Sequence, residues 1–519
     1  MPSPDRRAAL DHVVVLMFEN RSFDNLLGQL YQPGEVASFD GVLGKELANP
    51  VPEWARDRPD RLEVSYSEAA TMNTPTPDPG EEYQHVNTQL YGLIEPAANR
   101  GRLADQMVAP YNAPADPRRP PTMDGFVADY ISAVMAETGT VPGHDEYAQI
   151  MTGYGPARMP VLSALARGFT TFDRWFCEVP SQTFANRSFF HAATSSGYVV
   201  NLSPADAFPL HNTAETIFER LESKDLSWRV YSDPPSHVSL TGIIHAPRLL
   251  ERFGTNFFST DQFLIDAASG DLPAYSFIEP NLIYGHNDMH PAFDALFPTM
   301  HLDPPSSLIG GEALLAKIYD AVRSSASPRG SNAWNTLLLI TFDEHGGTYD
   351  HVPPPLVPSP VPGAPPGQLG CTFTRSGLRV PAIAISAWAP ERTVVSDEYR
   401  HTSLISTLRS RWSLGRPLTA RDAMARDIAP VLRRAAPRPP EDWPEVTPRP
   451  MPGGVVPVPP GDPVLPLLPR SLVLAAVELG KTIGLQVPGL RHDAQLLRAD
   501  GIEILLDCFG ELFPHLDGK

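Results

Sequence analysis

The sequence predicts an α/β fold: a doubly wound sheet with long loop insertions and a small helical element at the C-terminus. Residues 12–18 (HVVVLMF) form a continuous β-branched and apolar run, which is typical of a strand buried on both faces of a parallel sheet. Three further runs predict core strands at 274–278, 336–342 and 380–386. Apolar residues at helical spacing over 313–323 predict a helix between two of them. Strands that alternate with helices indicate a doubly wound sheet.

Proline-rich segments divide the rest of the chain, which has 58 prolines in 519 residues. We expect residues 1–430 to form the core, with a large insertion at about 30–140, where hydrophobic periodicity is weak. The dense proline of 431–470 predicts a linker or a strap over the surface. Residues 471–519 carry helical apolar patterns and predict a C-terminal element, which is a candidate contact for another subunit or protein.

The charge balance excludes one class of partner. The chain has 41 Lys and Arg residues against 60 Asp and Glu, a formal net charge of −19. So acidic a chain repels the phosphate backbone, and we expect no nucleic-acid partner. The same charge opposes attraction to an anionic bilayer but does not repel a zwitterionic head group, so transient contact with a membrane surface stays open.

The N-terminus and the cysteines bear on the compartment. No signal-peptide pattern precedes the first apolar run, and no stretch of 18 apolar residues occurs. We therefore expect a cytoplasmic protein or one exported without a cleaved leader. Cys177, Cys371 and Cys508 are widely spaced and form no CxxC motif, which predicts neither a disulfide framework nor a thiolate zinc site.

Polar residues follow the predicted strands where the strands end. Glu19 and Asn20 follow the first run, and Asp343 and Glu344 follow the run at 336–342. Capping of the next helix is the alternative for Glu19 and Asn20. Two adjacent acids at the end of a buried strand, however, repel each other unless a cation offsets their charge. We expect these oxygen ligands to bind one divalent metal ion, with calcium, magnesium or manganese favoured.

A second group of polar residues lies at 172–187 (FDRWFCEVPSQTFANR). Ser181 and Thr183 precede a stretch compatible with a helix, whose free N–H groups would favour an anion such as a phosphoryl group. A metal bound to such a hydroxyl would lower its pKa and make it a nucleophile. An ordinary helix cap is the alternative.

Four of the 15 histidines are candidate site residues. His290 precedes Pro291 in a predicted strand-end loop and could protonate a leaving oxygen. His85 would have to fold back from the insertion. His345 and His351 flank the Gly-Gly turn after Glu344 and are candidate substrate-binding groups. For each of them a purely structural role is the alternative.

Several segments together resemble the bacterial phosphoesterase family that contains the non-specific phospholipases C and the AcpA-type acid phosphatases. The resemblance runs in the same order over roughly residues 12–415. The segments that carry it are HVVVLMFENRSFDNLLG, LARGFTTFDRWF with PSQTFANR, SFIEPN with NDMHP, GEALLAKIYDAV with WNTLLLITFDEHGGTYDHVPPP, and GLRVPAIAIS with HTSLISTLRSRWSL. It implies an alkaline-phosphatase-like fold.

The resemblance also implies roles for individual residues. Metal ligands would be Glu19, Asn20, Thr183, Asp343 and Glu344, with Thr183 as the nucleophile. Catalytic histidines would be His290 and His85, contacting the phosphoryl or leaving group. Apart from the resemblance, Arg187 is a basic group close to Thr183 in the sequence, and we expect it to bind the substrate and offset the charge that develops on it.

The expected activity is that of a metal-dependent phosphoric ester hydrolase. A phospholipase C-type phosphodiesterase acting through a phosphothreonine intermediate is favoured, with phosphatidylcholine or sphingomyelin as candidate substrates. An acid phosphatase on the same site is the alternative. The alternative that is not an enzyme is a non-catalytic binding module. It is disfavoured because every candidate metal ligand has a side chain that can bind a metal ion.

Overall fold

A large mixed sheet forms the centre of the computed structural model, which describes residues 8–201, 208–235, 238–283, 285–292 and 304–452. The strands of the described residues, in chain order, are β1 (His12–Phe18), β2 (Ala48–Pro50), β3 (Glu63–Ser65), β4 (Ser67–Glu68), β5 (Thr152–Gly153), β6 (Thr170–Phe172), β7 (Trp175–Phe176), β8 (Trp228–Ser232), β9 (Phe257–Ser259), β10 (Tyr275–Glu279), β11 (Thr336–Phe342), β12 (Ala382–Ile385), β13 (Thr393–Val395) and β14 (Tyr399–Arg400).

Helices connect these strands. In the same part of the chain they are α1 (Phe23–Leu26), α2 (Tyr83–Tyr91), α3 (Phe126–Thr138), α4 (His144–Tyr147), α5 (Pro160–Gly168), α6 (Thr183–Ala192), α7 (Phe208–His211), α8 (Ile217–Glu222), α9 (Leu240–Ile244), α10 (Ala246–Leu249), α11 (Phe253–Asn256), α12 (Thr260–Ser269), α13 (Ser307–Ser324), α14 (Thr402–Trp412) and α15 (Ala420–Ala423). Short 3₁₀ turns lie at Glu53–Ala55, Ala97–Asn99, Ala104–Gln106, Ala148–Met151, Leu250–Arg252, Gln368–Gly370, Ala429–Val431 and Pro440–Asp442.

The central sheet has eight strands in the order β13-β6-β12-β11-β1-β10-β8-β9. The strands pair in parallel from β11 to β9, as they do between β13 and β6. The predicted α/β class is confirmed, and all four predicted core strands are present. One detail differs: β12 runs antiparallel to both of its neighbours. An apolar run predicts burial but carries no direction, which is why the sequence alone predicted a parallel strand here.

The core strands are buried as their composition predicts. Every residue of β11 is buried, as is every residue of β1 after His12. These two strands lie side by side in the middle of the sheet, and α13 packs on β11. The β-branched and leucine-rich runs therefore form the two-sided core, and the ends of β1 and β11 become fixed points for the residues that follow.

Residues 30–140, predicted as an insertion, contribute no strand to the central sheet in the part of the chain described. They carry a hydrophobic cluster of their own, in which Val86 and Leu90 of α2 pack with Phe126 and Ile131 of α3. Tyr349, from the segment after β11, joins this cluster. The insertion is thereby attached to the strand-end region of the core, and α2 is held beside it.

The start of the proline-rich segment packs on the core as a strap. Trp443 is 2% exposed, and its ring lies 5.2 Å from that of Phe169 and 6.2 Å from that of Tyr319, centroid to centroid. The Tyr319 hydroxyl donates to the carbonyl of Pro444 at 2.8 Å. The predicted helical element at 471–519 lies outside the described residues, and the division into domains stays a prediction.

Two further observations concern the sequence predictions. Cys177 and Cys371 are buried free thiols, and Cys508 lies outside the described residues. Within the described residues, no helix combines the length and the apolar character that crossing a membrane requires.

Trp443→Ala tests whether the strap belongs to the folded core. Removing the buried indole should destabilise the protein by about 3–5 kcal/mol, because the transfer energy is lost and a cavity remains. The measurement is the melting temperature in parallel with urea unfolding. Trp443→Phe, which keeps an aromatic ring, should cost less. An unchanged melting temperature in Trp443→Ala would show that the strap adds nothing to stability.

Candidate active site

The ends of β1 and β11 are joined directly at one edge of the sheet. Phe18 lies opposite Phe342 in the parallel register, so the residues after them leave the sheet together. The backbone N–H of Asn20 donates to Oδ1 of Asp343 at 3.0 Å, and the N–H of Asp343 donates to the carbonyl of Phe18 at 3.0 Å. The predicted strand-end position of Glu19, Asn20 and Asp343 therefore places them beside one another.

Two glycines allow this close approach. Gly346 and Gly347 have φ of 58° and 65°, which side chains rarely adopt. A Cβ on Gly346 would lie 2.2 Å from the carbonyl oxygen of Asn20, and one on Gly347 would lie 2.5 Å from the carbonyl oxygen of Gly80. The turn after Glu344 thus packs backbone against backbone. Only glycine fits at these two positions without a shift of the neighbouring chain.

Thr183 is the first residue of α6, so its hydroxyl lies at a helix N-terminus as the sequence predicted. Its Oγ1 lies 3.5 Å from Oε2 of Glu19. The other hydroxyl in this segment, that of Ser181, donates to the carbonyl of Val199 and is engaged there. The geometry therefore singles out Thr183 as the hydroxyl that faces the carboxylates.

The loop before Thr183 is held by a single amide side chain. Oδ1 of Asn186 accepts from the backbone N–H groups of Glu178 at 2.8 Å and Val179 at 2.9 Å. Its Nδ2 donates to the carbonyl of Ser181 at 2.7 Å. The sequence analysis included Asn186 only as part of a motif. In the structure its amide accepts from backbone N–H groups and donates to a backbone carbonyl of the same turn, which only an amide side chain can do.

Arg187, one turn further along α6, lies within the carboxylate cluster. Its guanidinium pairs with Glu19, with Oε1 of Glu279 at 3.4 Å and with Oδ2 of Asp343 at 3.8 Å from Nε. Arg187 is 1% exposed. These contacts make it a counter-ion of the cluster, and its predicted role toward substrate stays a prediction.

The cluster contains more buried acid than base. Burial raises the pKa of Glu19 well above its ordinary value, although Arg187 opposes the shift. Burial, with the charges of Glu81 and Asp343, raises the pKa of Glu344 in the same direction. A divalent cation would offset this repulsion, because it adds the positive charge that one arginine does not supply.

Unused ligand atoms point to the same conclusion. Among the described residues, Oδ1 of Asn20, Oδ2 of Asp343 and Oε1 of Glu344 are buried and have no hydrogen-bond partner. Buried polar atoms are almost always hydrogen-bonded, so three oxygens without a hydrogen bond in one cluster require an explanation such as a bound ion, although Oδ2 of Asp343 also lies 3.8 Å from Nε of Arg187. The donor set is all oxygen, which suits a hard divalent cation. The residues therefore fit a metal ion.

Glu81 is a member of the cluster that sequence reasoning missed. It accepts from Nδ2 of Asn20, and Nε2 of Gln182 lies 3.5 Å from its Oε1. Burial raises the pKa of Glu81 to about 8. Glu81 follows no strand and lies in a proline-rich stretch, so no local pattern pointed to it.

His290 is brought into the cluster. Its Nε2 lies 2.8 Å from Nδ2 of Asn20 and 3.8 Å from Oε2 of Glu81. Its Nδ1 lies 2.9 Å from the carbonyl of Pro291, so Nδ1 donates and Nε2 accepts. Burial lowers the pKa of His290 to about 4, which leaves the ring neutral at neutral pH.

His85 lies on α2, in contact with an acid that the sequence analysis did not identify. Its Nδ1 lies 2.8 Å from Oδ1 of Asp129. Burial favours the neutral ring, but Asp129 outweighs this effect and raises the pKa of His85 to about 9. His85 therefore carries a proton at neutral pH, in contrast to His290.

Hydrogen bonds through Asp129 and Gln89 link His85 to His345, which lies against the cluster. Nε2 of Gln89 donates to Oδ2 of Asp129 at 2.8 Å, and Oε1 of Gln89 lies 2.7 Å from Nε2 of His345. Nδ1 of His345 lies 3.2 Å from Oε2 of Glu344. His345 thus contacts a candidate metal ligand directly, and its predicted role in binding substrate stays a prediction.

His351 belongs to a different network. Its Nδ1 lies 2.6 Å from Oδ2 of Asp24 and its Nε2 lies 3.1 Å from Oδ1 of Asp40. Arg379 donates to Asp24 at 2.8 Å and to Asp350 at 2.9 Å. Within the described residues, no hydrogen bond or ion pair joins His351 to the cluster around Asp343. Its substrate-binding role is a prediction without a supporting contact.

Asp24, Asp350 and His351 are also close enough to share a metal ion, since one ligand atom from each lies within 4.8 Å of the others. Arg379, which is fully buried, already lies against both carboxylates. The spacing of the ligand atoms favours this second group. The charge favours the cluster at the ends of β1 and β11, which holds more buried acid than Arg187 balances.

Comparison with known proteins gives consistent matches over most of the chain. The Phosphoesterase family model matches residues 10–415. Non-specific phospholipase C6 of Arabidopsis thaliana is 33% identical over 460 residues, covering 84% of this chain and 75% of that protein. Phospholipase C A of Mycobacterium tuberculosis is 26% identical over 482 residues, covering 84% and 79%. The predicted resemblance is confirmed, and the matches extend it from bacteria to plants.

Solved structures give a weaker match. PsFucS1 sulfatase from Pseudoalteromonas sp. is 12% identical, with a TM-score of 0.32, and the match covers 60% of this chain and 76% of that one.

His351→Gln should reduce stability in a pH-dependent way. The pKa of His351 is raised from 6.5 to about 9 in the folded protein. A group whose pKa is raised by folding stabilises the folded protein fully at pH values below its pKa in the unfolded chain. The stabilisation is lost as the pH rises through its pKa in the folded protein. The free energies of unfolding of wild type and variant should therefore differ most below pH 6.5, by roughly 3 kcal/mol at most, and become equal near pH 9. Melting temperatures of both proteins, recorded across this pH range, measure the difference. A difference that is the same at every pH would contradict the charged contact.

Proposed function

The chain belongs to the Phosphoesterase family and is a phosphoric ester hydrolase, and from that premise we propose that it is a metal-dependent phospholipase C-type phosphodiesterase. The observation that carries the proposal is the hydroxyl of Thr183, 3.5 Å from Glu19 at the rim of the carboxylate cluster. The plant and mycobacterial relatives are named phospholipases C, and they support a phospholipid as substrate.

The residues that would hold the metal are Glu19, Asn20, Thr183, Asp343 and Glu344. Their oxygens suit calcium, magnesium or manganese. A cation bound there supplies Lewis-acid polarisation of a phosphoryl oxygen and positive charge beside the nucleophile. The unpaired oxygens of Asn20, Asp343 and Glu344 support this ligand set.

In the proposed reaction, the hydroxyl oxygen of Thr183 attacks phosphorus and diacylglycerol leaves, which gives a phosphothreonine intermediate. Oε2 of Glu19 is the acceptor that the structure offers for the hydroxyl proton. Thr183 begins the ten-residue helix α6, whose positive N-terminal end favours the negative charge of the phosphoryl oxygens, while the N–H of Phe184 already donates to Oδ1 of Asn201 at 2.9 Å. Asn186 keeps the loop before Thr183 in one conformation, so the nucleophile is positioned before substrate binds.

The two histidines suit opposite roles in proton transfer. His85, with a pKa of about 9, carries the proton that a leaving alcohol needs. His290, with a pKa of about 4, is neutral at neutral pH and can accept the proton of the water that cleaves the intermediate. One such group accelerates a reaction by about 10²–10⁴-fold, so most of the rate enhancement must come from the nucleophile, its positioning and the charge of the cluster.

The relatives and the charge of the chain support a phospholipid with a zwitterionic head group as the substrate. Phosphatidylcholine and sphingomyelin carry zwitterionic head groups, which a chain of net charge −19 does not repel. Reaching either lipid requires transient contact with a membrane surface.

Thr183→Ala should abolish turnover of phosphatidylcholine, with a loss of about 10³-fold or more, because the attacking oxygen is removed. Diacylglycerol release measures this directly, and p-nitrophenyl phosphate and sphingomyelin complete the panel. Thr183→Ser keeps the hydroxyl and should retain part of the activity. Full activity of Thr183→Ala would exclude Thr183 as nucleophile. Wild-type turnover of the phosphomonoester alone would replace the phospholipase proposal by that of a phosphatase.

Asp343→Asn should lose bound metal and activity together. In the wild type, Oδ1 of Asp343 accepts from the N–H of Asn20 at 3.0 Å and from that of Glu344 at 2.6 Å, and the amide oxygen of asparagine can do the same. The variant loses the negative charge and Oδ2, the oxygen that has no hydrogen bond. Elemental analysis of the purified protein measures the metal content. Asp350→Asn is the matched control from the second acidic group and should keep the metal. The reverse result would place the metal beside Asp24 and His351.

A further inference from the structure

A long uncharged loop follows the segment after β11. From Val352 to Thr374 the chain runs for 23 residues without Asp, Glu, Lys or Arg, whereas 19% of all its residues are charged. Within this run, residues 361–366 (VPGAPP) are all exposed, and none of them has a polar side chain. We call residues 361–366 the apolar tip. Solvent-facing runs of this kind are avoided in soluble proteins unless they contact a partner.

The apolar tip begins with a defined turn. Val361 is followed by Pro362 and Gly363, and the N–H of Ala364 donates to the carbonyl of Val361 at 3.1 Å. Gly363 has φ of 80°. Proline at the second position of a turn and glycine with positive φ at the third are the features of a type II turn. The side chain of Val361 is therefore presented at the surface in advance, and binding through it would cost little ordering.

The start of the loop is attached to the segment that presents the candidate nucleophile. Nε of Arg421 donates to the carbonyl of Pro358 at 2.7 Å, and Nη1 of the same side chain donates to the carbonyl of Glu178 at 2.8 Å. The N–H of Ala420 donates to the carbonyl of Pro360 at 3.1 Å. The residues just before the apolar tip are thus joined through one arginine to the chain that leads into α6.

The end of the loop is attached to the same segment through Gln368. Its Oε1 accepts from the N–H groups of Val199 at 3.0 Å and Val200 at 3.1 Å. The carbonyl of Val199 accepts from the hydroxyl of Ser181, which lies two residues before Thr183. The apolar tip is therefore anchored on both sides to the loop before Thr183, so its position relative to the proposed nucleophile is fixed.

Other apolar side chains are exposed near the apolar tip. Val361 is 60% exposed, and Leu356 of the same loop is 52% exposed. Met424, at the end of the short helix that starts at Ala420, is 69% exposed. The loop itself carries no charged group that would have to be dehydrated. Such a surface suits insertion into the boundary between the head groups and the acyl chains of a bilayer.

Recognition by a protein that binds polyproline II segments is the other use of a proline-rich loop. It needs free faces and free carbonyls along the segment. Here Pro354, Val357 and Pro360, spaced as one face of a polyproline II helix, are buried. The carbonyls of Pro354, Pro358 and Pro360 accept hydrogen bonds from this protein's own groups. What stays exposed is chiefly the apolar tip, which favours a lipid surface over such a protein.

We propose that the apolar tip, together with Leu356, contacts the surface of a zwitterionic phospholipid bilayer. The proposal rests on the proposed function, because a phospholipase must reach its substrate at a membrane surface, and it names the part of the chain that makes the contact. A chain of net charge −19 gains no attraction from anionic lipids, so its contact with a bilayer has to be apolar.

Three variants of the full chain test the contact. Val361→Glu places a charge in the apolar tip, and Val361→Leu keeps the position apolar. Val141→Glu is the matched control, because Val141 is 47% exposed and precedes the same Pro-Gly pair, but lies close to Asp145 and Glu146 instead of in an uncharged loop. All three are made in a parent chain that carries Thr183→Ala, so that lipid is not consumed.

Co-sedimentation with phosphatidylcholine vesicles over a series of lipid concentrations measures binding. Val361→Glu should raise the lipid concentration at half-maximal binding by about tenfold, because the carboxylate would have to enter the interface. Val361→Leu should bind at least as tightly as the parent chain, and Val141→Glu should bind as the parent does. Melting temperatures equal to that of the parent check that the variants are folded.

The proposal would be overturned if Val361→Glu bound the vesicles as the parent does, or if the parent did not bind them. An equal loss in Val141→Glu would also overturn it, because the effect would then be one of overall charge. If Val361→Glu changed the molar mass measured by light scattering without lipid, the apolar tip would cover a second copy of the chain, and the bilayer would be the wrong partner. Binding is measured here without turnover, so its loss is distinct from failure of the proposed reaction, which wild-type turnover of phosphatidylcholine decides.

Discussion

The crowding of carboxylates at the ends of β1 and β11 is the constraint on which the rest of the site depends. Glu19, Asp343 and Glu344 are fully buried within one cluster, with Glu81 beside them. The two strands pair in parallel and end at the same level of the sheet, so the acids that follow them lie side by side. Arg187 balances part of the negative charge. The remainder is the negative charge that the proposed divalent cation would offset, and it lies beside the threonine hydroxyl that we propose as the nucleophile.

Several interactions outside the cluster maintain this arrangement. Asn186 holds the turn that presents Thr183, and Arg379 joins Asp24, after β1, to Asp350, after β11. Arg379 therefore ties together the two segments whose first residues are the candidate metal ligands. Breaking such a buried pair leaves uncompensated charge, so the network constrains the loops strongly even if its net contribution to stability is modest.

Much of the fold and of the site could be predicted from sequence, for identifiable reasons. The bounds of β1 and β11 match the predicted runs because a two-sided buried strand needs continuous apolar residues. The polar residues that follow such strands meet at one edge of the sheet. The direction of β12 could not be predicted, because an apolar run is the same in both directions. Glu81 and Asp129 could not be predicted either, since neither follows a strand or belongs to a spaced motif.

By itself, the sequence determined which residues are buried strands, which polar groups follow them and, through its motifs, which family the chain belongs to. These are local properties, because they depend on composition, period and order along the chain. Only the tertiary structure decided that Asp129 contacts His85 and that Arg379 lies against both carboxylates of the second acidic group. Each of these depends on the packing of segments far apart in the chain, and a pairwise contact of that kind leaves no pattern in either segment alone.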